Sequence, residues 1–379
     1  MQFIERTSDV VTGSNKLEDL HTVSNFPVFM GSVEGDPSGD LTADMSWSIS
    51  RDSGLIQLKN LLPLDVLYQS QTTTGAIGAT WMAHHKEFAI FIHKYSPTGV
   101  LELGGAHGIL SFEYQKNLID IPWTILEPNP APVDGCRANF IKGFFDNQFS
   151  FDGNFNTVVH SHVFEHMYEP SEFMSHLGGF VKDGQHMIFS VPDLKSWLKR
   201  NFTNCINFEH TVFLTEPYVE YLLAKYGFRV VEKKYVMDGH SIFYATVRDV
   251  TVKPIELEVG LYQENLSIYE NFINYHKELI NDLNQKMRDS AQPLYLFGAH
   301  VFAQFLIAMG LNTEKIVCLL DNDMNKHGRR LYGTKFKVVS PKVLADVKDP
   351  IVILKAGVYN EEIKKDILDN INKSTLFFE

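Results

Sequence analysis

Between residues 100 and 250 the sequence alternates short apolar runs with stretches of helical periodicity, and this alternation limits the fold more than any other feature. The apolar runs include VLEL, WTIL, TVVH and MIFSV, and stretches such as PSEFMSHLGGFV lie between them. Strands that alternate with helices in this way form βαβ units and a parallel sheet. The last part, FRVVEKKYVMDGHSIFYATVRD, predicts two further strands that pair antiparallel at one edge.

The chain divides into four predicted parts of an α/β protein. Residues 1–75 are rich in Ser, Thr, Asp and Gly and weakly periodic, which predicts a small irregular N-terminal lobe. The alternating pattern occupies residues 76–250 and opens with a predicted helix near residues 80–95. A long amphipathic stretch with few helix breakers, residues 251–290, predicts a connecting helix. The strand and helix pattern then restarts in residues 291–379, which predicts a second α/β domain.

The charge balance excludes some classes of partner. With 34 basic and 46 acidic side chains the formal net charge is -12, so the protein repels nucleic-acid phosphates and anionic lipids at long range. We therefore expect neither a nucleic acid nor a membrane as partner. The start of the sequence lacks the apolar core of a signal peptide, so we expect a cytoplasmic location. Three widely spaced cysteines, Cys136, Cys205 and Cys318, predict neither a disulfide framework nor a thiolate zinc site.

A glycine-rich turn follows the first apolar run. Gly104, Gly105 and Gly108 come directly after this strand and open a predicted helix, where a ligand can approach the backbone N–H groups closely. A plain tight connection also uses such a turn, but Glu102 precedes it and Glu127 ends the next strand, where carboxylates receive ribose hydroxyls in doubly wound sheets. The spacing E-x-G-x-x-x-G lacks the G-x-G-x-x-G of dinucleotide enzymes. It favours S-adenosylmethionine over NAD as the cofactor.

A second turn of this kind lies in the C-terminal part. The stretch FGAHVFA at residues 297–303 follows a predicted strand, and Asp321 ends the strand after it. With a single glycine, the turn indicates either a second nucleotide site or a structural repeat of the same fold.

Several of the fifteen histidines fall where ligands bind to parallel sheets. They follow the end of a predicted strand or occupy loops, and Glu209 stands directly before one of them. A neutral histidine accepts a proton near pH 7, so such a cluster fits general base chemistry. The spacing His-x-His on one strand, without an acid at a catalytic spacing, does not predict a zinc site. The histidines of this group are His160, His162, His166, His210 and His240.

Six stretches, in order along the chain, carry a family resemblance. They are SGLIQL, VLELGGAHGIL, FEHMYEPSEFMSHLGGFVKDGQHMIFSVPDL, NFEHTVFLT, DGHSI and LFGAHVFAQFLIAMGLNTEKIVCLLDNDMNKHGRRLYGT. From about residue 53 to the end, the sequence resembles the three-domain sugar C-methyltransferases, which act on nucleotide-linked deoxy-keto sugars. The resemblance implies a class I (Rossmann-like) methyltransferase domain that binds S-adenosylmethionine. It also implies a C-terminal Rossmann-like domain that helps to hold the sugar nucleotide.

The resemblance also implies site residues. His210, Glu209 and His166 would be the catalytic residues, and Tyr68 falls near a family tyrosine that lies close to the methyl donor. No metal ligand is predicted. The predicted cofactor-binding residues are Glu102, Gly104, Gly105, Gly108, Glu127 and Tyr68. The predicted acceptor-binding residues are Asn207, His240, Ser241 and His162.

Three departures from the family pattern affect these expectations. The family usually carries two cysteine pairs in the N-terminal lobe, and at those places this sequence has Asp9 with Thr12 and Ser50 with Ser53, so we expect no structural zinc. The family's turn G-S-N-D-G is G-G-A-H-G here and lacks its acid. A tyrosine that the family has shortly before the Glu-His pair is Asn207.

The predicted activity is methyl transfer from S-adenosylmethionine to a nucleotide-linked sugar. For carbon methylation, His210 or His166 removes a proton next to a ketone and the carbanion attacks the methyl group. The loss of the tyrosine leaves methylation of a sugar hydroxyl open. The same sheet would also suit an NAD-linked sugar oxidoreductase or a non-catalytic sugar-nucleotide-binding protein, and the sequence leaves the oligomeric state open.

Overall fold

The computed structural model describes residues 3–68 and 78–379, so the predicted boundary at residues 75 and 76 lies outside the described residues. The chain forms an antiparallel N-terminal lobe and two α/β sheets, with a long helix between the sheets. Within the described ranges no helix combines the length and the apolar character needed to cross a membrane.

The N-terminal lobe is less irregular than its polar sequence predicts. Its elements are β1 (Ile4–Glu5), β2 (Leu17–Pro27), β3 (Ser32–Val33), β4 (Thr42–Ser50), β5 (Ile56–Leu58), β6 (Asn60–Leu61) and α1 (Leu64–Leu67). Strands β2, β4 and β5 form an antiparallel sheet, and β1 pairs with β6. Met45, Trp47 and Ile49 are buried on alternate positions of β4, as a half-buried strand requires. The serines between them give the strand its polar composition.

Hydrogen bonds join the two turns of this lobe, near residues 9–12 and 50–55. Asp9 Oδ1 accepts the backbone N–H groups of Val11 at 2.8 Å and Thr12 at 2.9 Å. The Ser53 hydroxyl donates to Asp9 Oδ2 and accepts the N–H of Leu55 at 3.1 Å. Both side chains are buried. A carboxylate and a hydroxyl thus connect the two turns directly.

The central domain is built on a seven-stranded sheet. Its strands are β7 (Val100–Leu103), β8 (Trp123–Glu127), β9 (Asn139–Lys142), β10 (Thr157–Ser161), β11 (His186–Pro192), β12 (Phe228–Val236) and β13 (Ser241–Arg248). The spatial order is β12-β13-β11-β10-β7-β8-β9. Strand β13 runs in the opposite direction to the other six strands, so it pairs antiparallel with both β11 and β12. The antiparallel edge pair is therefore confirmed. Its helices are α2 (Ala79–His93), α3 (Ile109–Asn117), α4 (Pro170–Phe180), α5 (Leu194–Lys199) and α6 (Glu216–Lys225).

A second sheet forms the C-terminal domain. Helix α7 (Leu261–Asp289) leads to it, as the long amphipathic stretch predicts. Its elements are β14 (Leu294–Phe297), α8 (Val301–Ala308), β15 (Ile316–Leu320), β16 (Arg330–Leu331), β17 (Val338–Val339), β18 (Ile351–Ile353), α9 (Asn360–Asp366) and β19 (Leu376–Phe378). The order β17-β15-β14-β18-β19 is parallel throughout. The predicted fold class, a Rossmann-like α/β domain followed by a second one, is confirmed.

The N-terminal lobe packs on both other parts. Strand β3 pairs antiparallel with β16 of the C-terminal domain. Trp47 of the lobe shares one hydrophobic core with Trp197 of α5, Phe272 of α7 and Phe305 of α8. This packing places the lobe beside the carboxyl edge of the central sheet. The three predicted boundaries between the four parts stay predictions.

Candidate active site

The glycine turn lies at the carboxyl end of β7, in the middle of the central sheet. Gly104 and Gly108 have φ angles of 70° and 67°, left-handed conformations that favour glycine. A Cβ on Gly104 would lie 2.7 Å from Val163 Cγ2, and one on Gly108 would lie 2.6 Å from Cys136 Sγ. Gly108 also caps the N-terminus of α3. Glycine is therefore required at these positions, because a β-carbon would collide with the side chains packed against the turn.

Glu127 faces this turn from the end of the neighbouring strand β8. Its Oε2 accepts the N–H of Ala106 at 3.0 Å, and its Oε1 accepts the N–H of Asn129 at 2.9 Å. A carboxylate has about four acceptor positions, so it can receive further donors. Glu127 lies where the sequence predicts ribose binding and also stabilises the turn.

Glu102 lies beneath the turn. Its Oε2 accepts the indole N–H of Trp123 at 2.7 Å, and a Cβ on Gly105 would lie 2.8 Å from its Cδ. Burial raises the pKa of Glu102 to about 7, because a low dielectric disfavours the ionised form. The structure gives Glu102 a supporting position under Gly105, and its contact with the cofactor stays a prediction.

Tyr68 connects the N-terminal lobe to this region. It ends α1, and its carbonyl accepts the side-chain N–H of Asn129 at 2.5 Å. Burial raises the pKa of the Tyr68 hydroxyl well above its usual value, and the charges of Glu209, Glu165 and Glu127 raise it further. The hydroxyl is therefore protonated at neutral pH and lies among carboxylates from both sides of the site.

His166 and His210 come together from two separate loops. Their ring centroids lie 5.0 Å apart. His166 Nδ1 lies 3.9 Å from Glu209 Oε2, and His166 Nε2 lies 3.9 Å from Glu165 Oε1. Burial lowers the pKa of both histidines below 6.5 and raises the pKa of Glu165 to about 7. The structure thus assembles the three predicted catalytic residues and adds Glu165.

Asn207 shapes the loop that presents this pair. Its Oδ1 accepts the backbone N–H groups of Glu209 at 2.8 Å and His210 at 2.9 Å. Its Nδ2 donates to the carbonyl of Asn204 at 3.0 Å. Both ends of the amide are used within the loop, and the predicted acceptor contact of Asn207 stays a prediction.

The remaining predicted acceptor residues form a cluster next to His166 and His210. His162 follows β10, and His240 and Ser241 lie at the start of β13, where His162 Nε2 and His240 Nδ1 each lie 2.8 Å from Ser241 Oγ. Their acceptor contacts stay a prediction. His160, by contrast, is fully buried, with its ring 4.8 Å from that of Phe189. It is a core residue of the sheet.

Two family models match this chain, one over most of the central domain and one over the C-terminal part. A methyltransferase domain matches residues 82–233, and a C-methyltransferase C-terminal domain matches residues 246–377. The chain is a methyltransferase. The matches agree with S-adenosylmethionine as the methyl donor, as the sequence predicts.

Solved methyltransferases resemble parts of this methyltransferase at low sequence identity. The 1,6-didemethyltoxoflavin-N1-methyltransferase of Burkholderia thailandensis, solved with S-adenosylhomocysteine, is 14% identical, covers 53% of this chain and 97% of its own, and has a TM-score of 0.40. The magnesium protoporphyrin IX methyltransferase of Synechocystis is 15% identical, covers 47% of this chain and 90% of its own, and has a TM-score of 0.36. At these TM-scores the solved structures give no information about this chain beyond the sheet topology described above. No curated protein matches the chain.

The C-terminal domain of this methyltransferase repeats the turn-and-acid arrangement. Asp321, at the end of β15, accepts the N–H of Ala299 at 2.9 Å, as Glu127 accepts that of Ala106. Asp321 also pairs with Lys326 Nζ at 2.9 Å, and both side chains are 12% exposed. The second turn therefore repeats the hydrogen bond between turn and acid, with a lysine beside the acid.

The structure adds functional candidates that the sequence did not reveal. For Glu165 the sequence signal was its position directly before His166, in FEH. His84 lies on α2 beside the cluster of His162 and Ser241. Arg6 reaches the loops of His166 and His210 from the N-terminal lobe. For His84 and Arg6 no local sequence signal exists, because their contacts join distant segments.

Proposed function

We propose that this methyltransferase transfers the methyl group of S-adenosylmethionine to a carbon of a nucleotide-linked sugar, next to a keto group. The observation that carries the proposal is the pair His166 and His210, with ring centroids 5.0 Å apart. The match to a C-methyltransferase C-terminal domain supports carbon as the acceptor atom. The family resemblance supports the sugar nucleotide, as does the second turn with Asp321 and Lys326.

The glycine turn and its acids would hold the donor. Gly104, Gly105 and Gly108 form the tight turn at the end of β7, and Glu127 has acceptor positions left for ribose hydroxyls. When bound, S-adenosylmethionine supplies an electrophilic methyl group on a positively charged sulfur. Glu102 supports the turn from below.

His210 is the first candidate for the general base, and His166 is the second. Burial lowers the pKa of both rings, so they are neutral at pH 7 and each has a nitrogen that accepts a proton. His210 takes the proton from the carbon next to the ketone. Glu209, 3.9 Å from His166, favours the positive charge that then forms in the pair. The Tyr68 hydroxyl, held protonated by burial, donates a hydrogen bond to the enolate oxygen.

The first test is ligand binding by calorimetry. We expect S-adenosylhomocysteine to bind and NADH not to bind. The binding-competent protein is then incubated with S-adenosylmethionine and nucleotide-linked keto sugars, and the product is examined by NMR for a new C–CH3 group. A methyl ether would overturn the carbon acceptor, and binding of NADH alone would overturn the methyl donor.

The second test concerns the base. His210→Ala should lower turnover by about 10²–10⁴-fold, the usual contribution of a general base, with binding of S-adenosylhomocysteine unchanged. The matched control is His186→Ala. His186 is the first residue of β11, so it lies at the amino ends of the strands, away from the proposed reaction site at their carboxyl ends. Equal turnover of the wild type and His210→Ala would remove His210 from the mechanism.

A further inference from the structure

Three histidines from three separate segments converge on one serine hydroxyl. His84 lies on α2, His162 follows β10, and His240 precedes β13. Ser241 Oγ lies 2.8 Å from His162 Nε2, 2.8 Å from His240 Nδ1 and 3.3 Å from His84 Nδ1. One ring nitrogen of each histidine lies within 4.8 Å of those of the other two. The cluster therefore offers three imidazole nitrogens that face a common point.

Two of the three outward nitrogens have a polar group nearby. His162 Nδ1 lies 3.4 Å from Glu165 Oε1, and His84 Nε2 lies 3.1 Å from Ser161 Oγ. A carboxylate on one nitrogen keeps the proton there and leaves the opposite nitrogen as a lone pair. Histidines that bind metals have outer partners of this kind almost without exception.

Burial and backbone conformation set this cluster apart from surface histidines. His84, His240 and Ser241 are each at most 1% exposed. The Trp81 ring lies within 5.2 Å of the rings of all three histidines, centroid to centroid. His162 has a φ of 52°, a left-handed conformation that costs free energy in a residue other than glycine and concentrates at functional sites.

We propose that His84, His162 and His240 form a binding site for a divalent transition metal ion, with Zn²⁺ as the ion that fits best. Imidazole nitrogens suit zinc, copper, nickel and iron, and three histidines with a fourth position form a zinc site. Ser241 Oγ stands at the fourth position. The sequence could not predict this site, because each ligand comes from a different segment of the chain.

The metal site adjoins the proposed reaction site through Glu165. This carboxylate lies 3.4 Å from His162 Nδ1 and 3.9 Å from His166 Nε2. Among the described residues, neither of its oxygens has a hydrogen-bond partner by strict geometry. Glu165 thus lies between the proposed metal site and His166.

The test measures zinc binding without methyl donor or acceptor, so its result is independent of the proposed function. Wild-type protein is stripped with a chelator, titrated with ZnCl₂ by calorimetry and analysed for metal content after dialysis. We expect one zinc ion per chain, and His84→Gln and His240→Gln should lose it. Loading with Co²⁺ should give the visible absorption of a tetrahedral ion in the wild type and not in these variants.

Two further variants keep the test decisive if a ligand variant fails to fold. Ser161→Ala leaves the three ligands in place, removes the nearer of the two hydroxyls beside His84 Nε2 (Ser190 Oγ lies 3.5 Å away), and should weaken zinc binding by about 10–100-fold. His93→Gln, on the same helix but at the surface, should bind zinc as the wild type does. Wild type without zinc binding, or His84→Gln and Ser161→Ala with wild-type affinity, would overturn the proposal. So would loss of zinc in His210→Gln alone, which would place the ion between Glu165, His166 and His210.

Discussion

At the scale of single residues, Glu102 shows how a buried acid links pH to stability. Its folded-state pKa is raised from 4.5 to about 7, chiefly by burial. Between these pH values the folded protein holds a proton that the unfolded chain has released. The contribution of Glu102 to the free energy of unfolding therefore falls as pH rises from about 4.5 to about 7.

Glu102→Gln should remove this dependence. The glutamine can still accept the Trp123 N–H but carries no charge, so the variant should be more stable than the wild type by about 2–3 kcal/mol at pH 8. The difference should shrink at pH 5, where folded Glu102 is protonated. Urea unfolding at both pH values measures it, with Glu258→Gln in an exposed segment as control. A gain that is the same at pH 5 and pH 8 would contradict the raised pKa.

Single residues also show what sequence can predict about the site. Gly104, Glu127 and His166 lie at or just after the carboxyl ends of parallel strands, where ligand contacts concentrate. Their position at one edge of the central sheet could therefore be predicted. The Glu209-His210 pair was visible in the sequence, and the family resemblance implied its role at the site. His84 and Arg6 could not be predicted, because their roles depend on contacts with segments far away in the sequence.

At the scale of elements, Arg6 connects the N-terminal lobe to the loops of His166 and His210. Its guanidinium donates to the carbonyl and the hydroxyl of Thr211 at 2.6 Å and 3.2 Å. It also donates to the carbonyls of Met167, at 3.4 Å, and Tyr168. Thr211 follows His210, and Met167 follows His166. One side chain thus sets the distance between the loops that carry the proposed bases.

Arg6→Met should loosen both loops at once. Carbonyl acceptors that are buried without a donor raise the free energy of the folded state, and we expect a loss of about 3 kcal/mol in stability. Backbone hydrogen exchange should rise in residues 164–168 and 207–211, which are joined by the bond from Thr211 N to the Glu165 carbonyl at 3.1 Å. Arg6→Lys keeps the charge and some of the hydrogen-bond donors, so its stability and its hydrogen exchange should lie between those of the wild type and those of Arg6→Met. Unchanged exchange in both loops would argue against this role.

The elements themselves differ in how well the sequence predicts them. β7, β10 and α7 were predicted because their patterns are long or continuous: the two strands are apolar in the sheet centre, and α7 buries one face along its length. β9 was not predicted. Its sequence, NFIK, has exposed ends at the sheet edge, and pairing with β8 gives it its conformation. Tertiary context decides such strands.

At the scale of the whole molecule, segments near opposite ends of the chain are joined. Arg330 donates to both carboxylate oxygens of Asp40, at 2.5 Å and 2.8 Å, across a separation of 290 residues. Its Nε donates to the Gly35 carbonyl at 2.7 Å. Both charged side chains are 8% exposed. No local pattern in a sequence reports a pairing at this distance, so the link between the N-terminal lobe and the C-terminal domain had to come from the structure.

Arg330→Met should weaken this link. Removing one member of a charge pair that is buried and hydrogen-bonded costs about 2–5 kcal/mol, largely because the other charge stays buried. The neighbouring Arg329 is the matched control: its side chain is 46% exposed and its Nε lies 3.7 Å from Glu34, so Arg329→Met should cost less than about 1 kcal/mol. Urea unfolding compares the two. Equal losses would mean that the contact between the lobes does not stabilise the molecule through this pair.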